Sequence, residues 1–473
     1  TTLQSSNKKF LLVFKMKQKM SYLLILLLII ISMNSFTLSV EGRKNHNKKT
    51  RGDKHHGKHV PTPSATPYNL INSRIFNVLN FGAKADGVSD DSKALEAAWK
   101  AACKVGYSII EVPSKFKFLI NPISLQGPCM PHLVLQIDGT LLASRNVDSW
   151  PKSSLFQWIN FKWISNFTIQ RSGTVDGQGS AWWNLSDQLQ SFQKKSTKYI
   201  PEMKPTAMRF YGSYSVTVRD IGIINSPLCH LKFNNCGSVK VNNVTISSPE
   251  NSPNTDGIHF QNTQDVEIQH SNIGCGDDCV SIQTGCSNIH VHHIHCGPGH
   301  GISLGSLGKD KAVAYVKDVV VENTTMQNTQ SGVRIKTWQG GKGSVKNVSF
   351  SNIKVYNVEI PIIIDQYYCD KKKCKNQTTA VEISGVKYKK IIGTYSVQPV
   401  HLACSSNVPC TKVDLIDIQL KPSRESRESR KALCWNTFGE SKAPLVPSSI
   451  DYCLQKGGGF NHDRLARSHE NAC

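Results

Sequence analysis

Three aspartates, a histidine and two cations fall in four short motifs: Asn254-Thr255-Asp256, Gly276-Asp277-Asp278-Cys279, Gly299-His300-Gly301 and Arg334-Ile335-Lys336. The steps are nearly even at first, 21 residues from Asp256 to Asp277 and 22 from Asp278 to His300, then 34 from His300 to Arg334. Clustered carboxyl groups are what hydrolysis of a glycosidic bond requires. One protonates the leaving oxygen, and another activates water or supplies the nucleophile. Crowded like charges raise at least one carboxyl pKa, which keeps a proton available near neutral or mildly acidic pH, and an imidazole alongside tunes that state. Arg334 and Lys336, two apart on a strand, point to one face and can both meet an acid group of a ligand. Singly, the motifs read equally well as a turn, an Asn corner and a solvated strand face; a common register argues for chemistry.

Such a register needs a repeating scaffold, and the chain carries one. Val216, Val239, Val266, Ile289, Val316 and Val345 anchor a recurring theme at steps of 23, 27, 23, 27 and 29 residues. Each step holds two or three short strands separated by Asn, Gly and Ser. A period of this length, with β-branched alternation and no intervening helices, predicts an all-β solenoid: a parallel β-helix whose coils stack and bury an inner ladder. Residues one coil apart then lie roughly 5 Å apart, and the four motifs converge on one face. A β-propeller would show a longer period and antiparallel hairpins. The only strong helical pattern, Ala94, Leu95, Ala98, Trp99 and Ala102 within Ser92 to Ala102, follows Asp90 and Asp91 as N-cap candidates and is placed to cover the open end of the stack.

The 473-residue chain has a formal net charge of +22. Its first sixty residues hold 12 Lys/Arg and 2 acids, and the remainder 44 and 32, so the folded part also favours an acidic partner. No zinc-finger spacing, aromatic RNA-binding signature or basic recognition helix directs that charge to nucleic acid. The apolar run Tyr22 to Met33, with Lys-rich flanks and small residues near Val40 to Gly42, reads as a secretory signal rather than a membrane anchor. Fifteen cysteines, an odd number, and six Asn-x-Ser/Thr sequons at Asn166, Asn184, Asn243, Asn323, Asn347 and Asn376 agree with an oxidising, extracellular destination. The resulting divisions are upstream residues and signal at 1–42, a basic and then Pro/Ser/Thr-rich linker at 43–75, the β-helix at 76–453 and a tail at 454–473. His290, His292, His293 and His295 alternate with Val291 and Ile294 and read as the outside of a strand. A zinc site with Cys275, Cys279 or Cys296 carries no recognised spacing.

Ser252-Pro253-Asn254-Thr255-Asp256-Gly257, Gly276-Asp277-Asp278-Cys279, Gly299-His300-Gly301-Ile302-Ser303 and Arg334-Ile335-Lys336 together resemble the four signature motifs of the polygalacturonases, glycoside hydrolase family 28. The stretch from Phe81-Gly82-Ala83 to Trp99 is similar to plant members, and the likeness runs from Phe76 to Cys453. The resemblance implies a right-handed parallel β-helix that hydrolyses pectin, an acidic polysaccharide, with inversion and without a metal or other cofactor. It implies Asp277 as general acid, Asp256 and Asp278 as the pair activating water, and His300 as the group setting the acid's protonation. Asn254, Arg334 and Lys336 would bind substrate, with Tyr368 rather than Tyr367 shaping the cleft. It further implies local disulfides Cys279–Cys296, Cys369–Cys374 and Cys404–Cys410, while the secretion signals point to the cell wall and the repeat architecture to a monomer. Cys434, Cys453 and Cys473 are candidates for tying the tail back. The competing readings are a rhamnogalacturonan or xylogalacturonan hydrolase, a calcium-dependent pectate lyase and a non-catalytic wall-binding protein.

Overall fold

The computed structural model describes residues 74–147, 150, 157–183, 204–370, 374, 376–424 and 430–455, all within the unit Leu70–Cys473. The signal run, nearly all of the linker, Asn184 and Cys473 lie outside the described residues. The first described strand, Arg74–Asn77, starts two residues before the expected boundary. The last bridge, Phe438 to Gln455, ends two residues beyond the other one.

Alternating buried and exposed side chains make the segments strands, and chain order makes the strands a helix of coils. An eleven-stranded sheet runs in strict sequence order from Ile123–Gln126 to Leu433–Trp435, so each coil lays one strand beside the last. The other strands of each coil form a 21-stranded sheet. Within it Tyr214–Arg219, Gly237–Asn242, Gln264–Gln269 and Cys286–His292 stack in parallel, in that order. This is the parallel β-helix that the period predicts.

Val216, Val239, Val266 and Ile289 are consecutive partners and all are buried. The next anchor differs from expectation: Ile289 pairs with Val319, and Val316 pairs with Cys286. From this coil on, the short strands merge into long ones, the first being Val313–Gln327 with 15 residues. The strand starts early, so the repeated theme at Tyr315 falls on its leading edge. The regular partnership resumes between Val316 and Val345.

Inside, Phe161, Phe210, Phe233 and Phe260 stack face to face with ring centroids 4.7, 4.9 and 5.2 Å apart. At the corners, Asn and Asp in left-handed backbone conformation pass side-chain hydrogen bonds between coils. The Nδ2 groups of Asn243, Asn288 and Asn347 donate to Asp220, Asp265 and Asp318 at 2.8, 2.7 and 2.6 Å. Short polar side chains tolerate that backbone and bond locally.

The helix Ser92–Ala102 buries the expected face, and Trp99 packs on Phe161 and Phe167. Asp91 is its N-cap residue by position, but its carboxylate accepts from the Lys84 and Ala85 N–H groups; Asp90 accepts from the Ser92 N–H. All three implied disulfides are present, together with Cys103–Cys129 and Cys434–Cys453. Cys229, Cys236, Cys275 and Cys286 are free and buried.

Candidate active site

Three of the motifs lie at the leading ends of successive strands of the eleven-stranded sheet, Ile258–Gln261, Val280–Ile282 and Ile302–Leu307, and Arg334-Ile335-Lys336 lies within the next, Ser331–Trp338. Ile258, Val280 and Ile302 are partners in neighbouring strands, so the residues two before each, Asp256, Asp278 and His300, form one row. Asp256 is therefore one coil from Asp278, while Asp277 sits in the turn beside the row. The turns brace one another. The Gly276 N–H donates to Thr255 Oγ1 at 2.9 Å, and a Cβ on Gly276 would run into the Ser252 carbonyl. Cys279–Cys296 ties the Asp277-Asp278 turn to the one leading into His300.

Outward positions of the same strands line up as Arg209, Lys232, His259, Ser281, Ser303 and Arg334. Cationic side chains thus stand on both sides of the aspartates. His259, Ser303, Lys232 and Arg209 were missed from the sequence. Their signal was the register: they are partners, coil after coil, in the ladder that ends at Arg334.

Asp278, 2% exposed, is held by three donors. Ser303 Oγ and Arg334 Nη2 each donate to Oδ1 at 2.7 Å, and Lys336 Nζ donates to Oδ2 at 3.1 Å. Two cations against one carboxylate leave a net positive charge at this end of the row. Lys336 Nζ also lies 5.4 Å from the centroid of Tyr368, whose ring meets Trp338 edge-on. Burial pushes the Tyr368 hydroxyl up to about 12. Tyr367 turns away, its hydroxyl donating to the Cys404 carbonyl.

Asp277 Oδ1 lies 3.1 Å from His300 Nδ1, and the Asp278 N–H donates to the same oxygen at 2.8 Å. Asn254 Nδ2 donates to Oδ2 at 3.2 Å. Burial pushes the Asp277 pKa up, but the His300 hydrogen bond and charge, the Lys336 charge and the Asp278 N–H outweigh it, and the carboxyl is held below its usual range. Asp256 goes the other way: burial, then the charges of Asp277 and Asp278, push it well above. The carboxyl raised by crowding and burial is thus Asp256 rather than Asp277. His259 Nδ1 lies 3.2 Å from Asp256 Oδ2. Burial and the Lys232 charge lower that ring to about 3, so it meets Asp256 as a neutral imidazole. Behind it, the fully buried His230 uses both its ring Nδ1 and its backbone N–H to hold the Asp256 carbonyl.

The geometry thus offers a proton-bearing carboxyl, an ionised carboxylate beside an imidazole, a carboxylate locked by cations, and flanking positive charge. Asp277, Asp278 and His300 each bring one ligating atom within 4.8 Å of the others. The Arg334 and Lys336 cations already neutralise Asp278 there, which disfavours a metal ion at that point.

Residues 103–437 match the model of the glycosyl hydrolases family 28. The chain is 40% identical over 391 residues to a probable polygalacturonase of Arabidopsis thaliana, covering 82% of this chain and 86% of that one. It is 44% identical to a polygalacturonase of Persea americana, covering 71% of each. Among solved structures, the polygalacturonase of Erwinia carotovora superposes with a TM-score of 0.63 at 26% identity, covering 83% of this chain and 100% of that one. An endo-xylogalacturonan hydrolase of Aspergillus tubingensis shares the fold, with a TM-score of 0.66 at 23% identity over 78% of this chain and 98% of that one. The chain belongs to glycosyl hydrolase family 28, on the right-handed parallel β-helix of that family.

Proposed function

We propose that the protein is a polygalacturonase, hydrolysing the α-1,4 bonds of the polyanionic galacturonan backbone of pectin with inversion. The observation that carries this reading is the row of Asp256, Asp278 and His300 beside Asp277, flanked by Arg209 and Lys232 on one side and Arg334 and Lys336 on the other. A polymer bearing a carboxylate on every sugar suits a cleft with cations both before and after the scissile bond.

Asp277 donates the proton to the leaving oxygen. Lys336 helps hold Asp277 ionised; a substrate carboxylate arriving at Arg334 and Lys336 offsets that charge, and burial beneath the sugar then raises Asp277 toward the acid form. His300, in contact with Asp277 Oδ1, sets and replenishes that proton. Asp278, anchored by Ser303, and Asp256, oriented by His259, take up water on the opposite side. Asp256 and Asp277 interact through their charges, and one proton can pass between them as substrate enters. Asn254 and Tyr368 border the bound sugar.

The same reading makes the protein a secreted monomer acting at the cell wall. Among the described residues no helix is long and apolar enough to cross a membrane. The test is to incubate the protein with de-esterified polygalacturonate and a calcium chelator, following reducing ends and the ultraviolet absorbance of unsaturated ends together. Reducing ends without absorbance are expected. Calcium-dependent absorbance would mean a lyase, activity only on xylose-substituted galacturonan would mean a xylogalacturonan hydrolase, and no product from any pectin would leave a binding protein.

A further inference from the structure

The outer face of the 21-stranded sheet carries a second cluster of ligating side chains, on the same three coils as the catalytic row. Along the chain Glu267 follows Asp256, His290 and His292 follow Asp278, and Glu322 follows His300. His290 and His292 alternate on the strand Cys286–His292 and so project from one face. Glu267 is the register partner of His290, and Glu322 that of His292. Glu267, His290 and His292 each place one ligating atom within 4.8 Å of the other two.

Salt bridging alone accounts for part of this cluster. His290 Nε2 lies 2.9 Å from Glu322 Oε1, an ordinary exposed pair. His292 is held more loosely: its Nε2 is buried with no hydrogen bond and stands 3.6 Å from Glu267 Oε1. Its other ring nitrogen, Nδ1, lies 2.8 Å from Nδ1 of His293, so one proton is shared between two nitrogens. With that proton on His292, its Nε2 presents a lone pair to the space beside Glu267. His293 is held for this by stacking on His270, with centroids 5.0 Å apart. A ligating imidazole whose other nitrogen is fixed by a hydrogen bond is the usual arrangement at metal sites. Lys240 lies 3.9 Å from the other Glu267 oxygen, Oε2.

We propose that Glu267, His290 and His292 bind a divalent transition-metal ion, with Glu322 holding the His290 ring. Two imidazoles and one carboxylate suit zinc, and copper(II) more tightly still by the general order of divalent affinities. The ion would fasten the coil carrying Asp256 to the coil carrying Asp278 from a different sheet, the 21-stranded one. Its role is structural: it resists slippage between coils whose relative position sets the catalytic row.

The test uses zinc with the full chain, measured by calorimetry against His290→Ala/His292→Ala. The leader histidines His46, His55, His56 and His59 are present in both proteins, so the difference isolates this site. The double variant is expected to lose one zinc per chain, and with it any zinc-dependent rise in melting temperature. Glu267→Gln, which keeps the side-chain size, should weaken that zinc about tenfold or more. Cobalt(II) should give an intense visible spectrum in the parent that the double variant lacks. Circular dichroism of each variant, matched to the parent, establishes that it is folded. Equal zinc stoichiometry and affinity in the parent and both folded variants, or no zinc taken up by the parent beyond the double variant, would overturn the proposal.

Discussion

The catalytic row and the histidine cluster are built on the same three coils by the same register, yet they differ in burial and in balance of charge. Asp278 is 2% exposed and held between two cations. The His290 side chain is 42% exposed and has a single acidic hydrogen-bond partner. Burial and the neighbouring carboxylates push Asp256 upward, while the His300 hydrogen bond and charge and the Lys336 charge hold Asp277 down against burial. On the outer face water screens such effects. A β-helix thus supplies ladders of any side chain on every face, and chemistry of the first kind arises where a ladder is sunk beneath neighbouring turns.

The sharpest contrast is in turnover. Asp277→Asn should lower kcat by about 10²–10⁴-fold with little change in KM, since the proton donor is lost and the cleft is kept. His290→Ala, assayed without added metal, should leave kcat within about twofold. Comparable losses in both variants would erase the distinction between the faces.

Stability should separate them next. Asp278→Asn leaves Arg334 and Lys336 buried against a neutral group, and should cost about 3–5 kcal/mol in denaturant unfolding. Glu322→Gln, which breaks an exposed pair, should cost about 1 kcal/mol or less. Opening Cys279–Cys296 with serines releases a loop of 17 residues' separation and should cost about 3 kcal/mol.

The smallest effect concerns pH. Burial lowers His230 from 6.5 to about 4. Between those values the unfolded chain holds a proton that the folded ring does not, so stability falls as pH drops through this window. His230→Gln should remove about 1.4 kcal/mol per pH unit from that slope. A slope unchanged from that of the parent would mean that His230 is charged in the folded state.

Much of this was legible in the sequence because a solenoid converts spacing into proximity. The anchors from Val216 to Ile289 gave the coil length, and the four motifs, one per coil, gave the site. Legibility failed where a coil changed its construction: merging of short strands into Val313–Gln327 moved the partner of Ile289 from Val316 to Val319. It failed also where function depends on partners rather than on residue type. Arg334 and Lys336 read as free cations for a ligand, but both are paired with Asp278. The protonated carboxyl cannot be read from Asp256, Asp277 and Asp278 alone, because His300, Lys336 and burial decide it. His290 and His292 lie on the outside of one strand as read, whereas His293 stands at the corner after it and His295 on the next strand. Glu267, on the coil before, entered their surroundings only with the register.

The central claim is that Asp277 protonates the leaving oxygen while Asp256 and Asp278 direct water from the opposite side. Proton NMR of the first product formed from a galacturonate oligomer tests it most directly, before mutarotation scrambles the anomers. The account expects the β-anomer to appear first from the α-linked substrate; the α-anomer appearing first would mean retention through a covalent intermediate and would contradict it.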